Sequence, residues 1–168
     1  GVIRGLHAQS GEYAQAKLVR VLKGEVIDVA VDARPNSPTF GQHVAVHLSA
    51  KNNKQLFVPR GFLHGFSVLS NEAVFFYKCD NLYNKESERG INPLDKSLNI
   101  DWKIEEDKMI LSEKDREAPE FNQIFNNQEK ILAGVFCENN NAGMSVHDLV
   151  KILNKNKQIA QNINFQLK

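Results

Sequence analysis

Cysteine is scarce in this chain. The 168 residues hold 2, Cys79 and Cys137, far apart in sequence. That excludes a disulfide framework and a CxxC metal pattern, and it points to a reducing, cytoplasmic setting. Neither sign of charge is in excess, with 21 Lys and Arg against 20 Asp and Glu and a formal net charge of +1. There is thus no global field to draw in nucleic acid or an anionic membrane, and an anionic ligand has to be held by local charges. No apolar run approaches the roughly 20 residues of a membrane span, and no basic-then-apolar leader is visible, so a soluble chain is expected. An initiator Met is also lacking: the chain opens GVIRGLH, already in the rhythm of a strand, and reads as a fragment. Its length fits one domain with a small appendage.

What is present from Lys17 to Cys79 is a succession of short β-branched and aromatic runs separated by turn residues, the pattern of an all-β sandwich or barrel. KLVRVLKGEVIDVAVD reads as two strands joined tightly at Lys23 and Gly24. ARPNSPTFG is a loop, and HVAVHLSA, KQLFVPRG, FLHGFSVLS and EAVFFYKC are four further strands. Connections this short favour antiparallel pairing, since a parallel crossover needs about a dozen residues. Beyond Cys79 the pattern loosens into a polar stretch to about Arg89, with an edge strand expected near Trp102. The Asn-rich remainder holds an apolar strand candidate, ILAGVFC, and a helix at about 146–161 starting from Ser145 and Asp148. Val146, Leu149, Val150 and Leu153 give that helix an apolar face, best explained by packing onto the barrel.

Five histidines invite a metal reading, but their spacing disfavours it. His43 and His47 share a strand face yet lie roughly 13 Å apart, too far to share an ion whose ligands sit near 2.1 Å. No HxH pair occurs, so no metal is expected, and His43, His47 and His147 read as structural or surface residues. His7 and His64 differ in company. Gly5 precedes His7, and Gly61 and Gly65 flank His64, so the backbone can bend or approach a ligand closely at both places. Strict alternation puts Arg4 and His7 on opposite faces, whereas a bulge at Gly5 turns both inward. Lys17 shares a face with Val19 and Val21, and Tyr77 shares one with Phe75 and Cys79, so both polar tips are expected to rise from an apolar lining.

GVIRGLHAQ, AQAKLVRVLKGEVIDVAVDARPNSPTFGQ, LFVPRGFLHGFSVLS, FFYK, ESERGINPLD and LSEKDREAP, in this order and spacing, resemble the dTDP-4-dehydrorhamnose 3,5-epimerases of the cupin superfamily. The resemblance covers residues 1–119 and leaves 120–168 as a C-terminal extension of unknown role. It implies a mainly β cupin jelly roll, a homodimer, a dTDP-linked 4-keto sugar as substrate, and no cofactor. It also implies roles. His7 in RGLH is similar to the catalytic base, Asp115 in SEKD to the carboxylate that orients it, Tyr77 in FFYK to the proton donor, and Lys17 in AKLV to the residue beside the keto oxygen. Arg4, Lys17, His64, Glu88 and Lys114 fall on substrate-binding positions, while Arg116 reads as surface charge. Asp28 in VIDVAVD is a rival partner for His7 if its strand points it inward. Members of the family carry several dozen residues before RGLH, including strands exchanged across the dimer and thymidine contacts. The Ser10-Gly11-Glu12 loop also departs from the proline-containing turn usual there. The implied reaction is epimerisation at C3 and C5. The alternatives are a single-carbon epimerase of another dTDP-4-keto sugar, a non-catalytic sugar-nucleotide-binding cupin, and a metal-dependent cupin oxygenase.

Overall fold

A computed structural model of the chain describes residues 1–124. The expected strand at ILAGVFC, the expected helix at about 146–161, Cys137 and His147 lie outside the described residues. Among the described residues, eight strands form two antiparallel sheets: β1 (Ile3–Gln9), β2 (Lys17–Lys23), β3 (Glu25–Asp32), β4 (His43–Ser49), β5 (Gln55–Val58), β6 (Phe62–Val68), β7 (Val74–Cys79) and β8 (Glu88–Gly90). The larger sheet runs β4-β3-β6-β1-β8 and the smaller β5-β2-β7. The architecture is an open two-sheet sandwich of the cupin type. Among the described residues, no helix is long and apolar enough to cross a membrane.

Two hydrophobic layers hold it. Between the sheets lie Val19, Val21, Val26, Ala30, Leu48, Leu56, Val58 and Phe62, the alternate residues of each strand. The intervening residues of β3, namely Ile27, Val29 and Val31, face the other way and join Ile3, Leu6 and Leu63 in a second layer. The segment after β8 closes that layer with Ile91, Leu98, Trp102 and Phe121. β3 is therefore covered on both faces, which explains why it reads as a near-continuous apolar run rather than a polar and apolar alternation.

The tight join at Lys23 and Gly24 is present, and it is no hairpin: β2 and β3 belong to different sheets, and the link carries the chain across the sandwich. Gly24 takes φ +76°, and a Cβ there would sit 2.1 Å from the Glu72 carbonyl oxygen, so the crossing requires glycine. Trp102 lies in no strand. It is a plug on the larger sheet, its indole N–H donating to Pro93 O at 2.8 Å and its carbonyl accepting from Ser67 Oγ at 2.7 Å. Aromatic and apolar neighbours mimic a strand there, but the backbone bonds go to side chains. Beyond Cys79 the chain instead adds β8 at one edge of the larger sheet, where Glu88, Arg89 and Gly90 pair with Gln9, Ala8 and His7. Its residues carry no apolar alternation, so composition hid it.

Candidate active site

One end of the sandwich opens into a cavity of about 350 Å³, within the roughly 300–1,000 Å³ typical of small-ligand sites. Arg4, His7 and Gln9 enter it from β1, His64 and Phe66 from β6, and Glu88 from β8. Lys17 reaches it from β2, and Phe75, Tyr77 and Cys79 from β7. The larger sheet thus forms one wall and the smaller sheet the other. Arg4 and His7 share the cavity because β1 is bulged. Arg4 lies opposite Phe66 and His7 opposite His64, so three steps on β1 match two on β6. Gly5 at φ +107° absorbs the extra residue, and a Cβ there would come within 2.6 Å of Gly65 Cα.

His7 Nε2 hydrogen-bonds Asp115 Oδ1 at 2.7 Å. Asp115 is 1% exposed and sits in the short helix α1 (Glu113–Arg116), where its N–H donates to the capping Ser112 Oγ at 3.1 Å. Its second oxygen accepts the Gly5 N–H at 3.4 Å, tying the carboxylate to the bulge. An ionised carboxylate only accepts, so the shared proton belongs on Nε2 and Nδ1 remains the basic nitrogen. Asp28 does point inward, yet its partner is His64, whose Nε2 lies 2.6 Å from Oδ1. The cavity wall therefore holds two histidine–carboxylate pairs.

Charges elsewhere in the site are local, as the neutral composition requires. Burial lowers the Lys17 ammonium below its ordinary value of 10.5, with Cys79, Asp28 and Glu88 opposing that shift. Burial alone would raise the Glu88 carboxyl. Hydrogen bonds from Lys114 at 2.6 Å and Tyr83 at 3.0 Å, with the nearby Lys114 charge, outweigh it and lower Glu88 below its ordinary value. Lys114 does not line the cavity; it reaches the site through Glu88. Tyr77 is 57% exposed at the mouth. Among the described residues, no three His, Cys, Asp or Glu side chains gather where a metal would be held.

The family model for dTDP-4-dehydrorhamnose 3,5-epimerase matches residues 1–123. The chain belongs to this family. The family's dTDP-4-dehydrorhamnose 3,5-epimerase from Shigella flexneri is 56% identical over 121 residues, covering 72% of this chain and 66% of the relative. The crystal structure of the enzyme of that name from Elizabethkingia anophelis superposes with a TM-score of 0.72 at 62% identity, over 73% of this chain and 67% of the other. A dTDP-6-deoxy-D-glucose-3,5-epimerase from Legionella pneumophila, solved in complex with dTDP-4-keto-L-rhamnose, gives a TM-score of 0.70 at 54% identity, over 74% and 65%. The chain spans just under two thirds of the length of its first relatives, 66% and 63% for those from Shigella and Methanothermobacter.

Of the residues that the epimerase resemblance singled out, Arg4, His7, Lys17, His64, Tyr77 and Glu88 line the cavity, and Asp115 and Lys114 stand behind His7 and Glu88. Gln9, Gln15, Phe66 and Tyr83 also line it and were not foreseen. Gln9 and Phe66 each lie two positions beyond a histidine on the same strand face, so alternation carried the signal. Gln15 and Tyr83 sit in loops, where no periodicity exists.

Proposed function

We propose that this chain epimerises C3 and C5 of dTDP-4-dehydro-6-deoxy-D-glucose, giving dTDP-4-dehydro-L-rhamnose. One observation carries the reading: a histidine backed by a buried carboxylate at 2.7 Å and a tyrosine line one cavity from opposite sheets. Inverting a carbon beside a ketone means removing its proton to form an enolate and returning a proton to the other face. Two groups must flank the ring, and His7 and Tyr77 occupy opposite walls. His7 takes the proton on Nδ1, while Asp115 fixes the tautomer and supports the imidazolium. Tyr77 delivers the proton from the facing wall. Lys17 donates to the developing enolate oxygen, and removing such a donor costs on the order of 2.7–4 kcal/mol in characterised oxyanion sites. The 4-keto group itself acidifies both neighbouring carbons, so the step requires no organic cofactor. Arg4 and His64 bind the sugar nucleotide together with the Glu88–Lys114 pair; the planar guanidinium of Arg4 suits phosphate or sugar oxygens.

The substrate class is supported by the Legionella relative's complex with dTDP-4-keto-L-rhamnose. The reading includes a cytoplasmic homodimer, as the family resemblance implies, with residues 1–119 forming the catalytic domain. Incubation with the 4-keto substrate in deuterated water, followed by NMR, tests it: deuterium is expected at both C3 and C5. Label at one carbon alone would replace this reading by a single-carbon epimerase, and no label at either would overturn it.

A further inference from the structure

Most of the cavity's side chains are polar, and its apolar lining comes from Ala8, Cys79 and a pair of rings. Phe66 from β6 and Phe75 from β7 stack across the gap between the two sheets, with centroids 4.4 Å apart and planes inclined by 23°. Both are half-buried, both line the cavity, and both pack on the inter-sheet core cluster, so they form the seam where cavity meets core. Phe75 continues towards His64 and Tyr77, each at 6.2 Å between ring centroids. A 4-keto-6-deoxy sugar has one substituent without a hydrogen-bonding group, the methyl at C5. Every other position around its ring carries oxygen and suits the polar walls of Arg4, Gln9, Lys17 and Glu88.

Resting on the sugar-nucleotide reading above, we infer that the Phe66–Phe75 stack is a specificity surface that receives the C6 methyl and disfavours sugars carrying a 6-hydroxyl. A hydroxymethyl group placed there exchanges hydrogen bonds to water for contact with two apolar rings that return none. Apolar pockets discriminate against an added hydroxyl by about a hundredfold at most, so a preference of roughly ten- to a hundredfold is expected.

The test compares binding of dTDP-6-deoxy-D-glucose and dTDP-D-glucose to the full chain by calorimetry; the ligands differ only by the 6-hydroxyl. The 6-deoxy ligand is expected to bind ten- to a hundredfold more tightly. Phe75→Leu, which keeps an apolar surface, should preserve that ratio. Phe75→Ala, checked for folding by circular dichroism, should shrink it below about threefold. Equal affinity in the unsubstituted chain overturns this inference alone, as does an unchanged ratio in a folded Phe75→Ala variant. Binding of neither ligand overturns the sugar-nucleotide reading beneath it. Should Phe75→Ala fail to fold, the ratios in the unsubstituted chain and Phe75→Leu still decide.

Discussion

The two sheets face the same cavity but live in different surroundings. The five-stranded sheet is covered twice, by the inter-sheet core on one face and by Leu98, Trp102 and Phe121 on the other. Among the described residues, the three-stranded sheet is covered once. Its outer face leaves Leu18 39%, Phe57 40%, Phe76 43%, Val74 47% and Leu22 49% exposed. Both histidine–carboxylate pairs of the cavity belong to the covered side, where Asp28 and Asp115 are nearly inaccessible to water. Lys17 and Tyr77 hang from the thinner wall. A general base needs a fixed tautomer and direction, which buried partners supply. A proton donor at the cavity mouth needs only reach.

This contrast can be broken or sharpened by substitution, and the largest effect is expected on the covered side. His7→Asn should lower turnover about 10²- to 10⁴-fold, the usual contribution of a positioned general base, while dTDP-sugar affinity stays near that of the unsubstituted chain. Steady-state kinetics beside calorimetry checks it, and undiminished turnover removes His7 from its role. Leu63, fully buried in the twice-covered layer, should cost about 2–5 kcal/mol on Leu63→Ala in urea denaturation. On the thinner wall, Lys17→Met should slow turnover by roughly 10²- to 10³-fold. The Lys17 ammonium, lowered first of all by burial, should lose its proton below pH 10.5 when followed by ¹⁵N-detected NMR. A midpoint at or above that value would mean that Cys79, Asp28 and Glu88 together outweigh burial at this wall. The smallest effect belongs to the open face: Phe76→Thr should change monomer stability by about 0.5 kcal/mol or less. A loss as large as that of Leu63→Ala would show that a second copy or another partner covers this face.

Much of the site was legible because strand alternation is a local property. Lys17 with Val19 and Val21, and Tyr77 with Phe75 and Cys79, fell on the faces the sequence predicts, and Gly5 marked the bulge that brings Arg4 and His7 together. Chain connectivity was less legible. The Lys23–Gly24 link looks like a hairpin because its residues suit a tight turn, yet the flanking strands pair elsewhere: β2 with β5 and β7, β3 with β4 and β6. β8 has no apolar signature, since its stability comes from hydrogen bonds to β1 rather than from its own side chains.

The mainly β class, the inward faces of β2 and β7 and the family were already written in the chain, because all three rest on residue types at short fixed spacings. It took the folded sandwich to pair His7 with Asp115 and Asp28 with His64, and to bring His7 and Tyr77 in from opposing sheets. Those partnerships join segments far apart along the chain, and the register between such segments is set by packing of the whole sandwich, which no local pattern encodes.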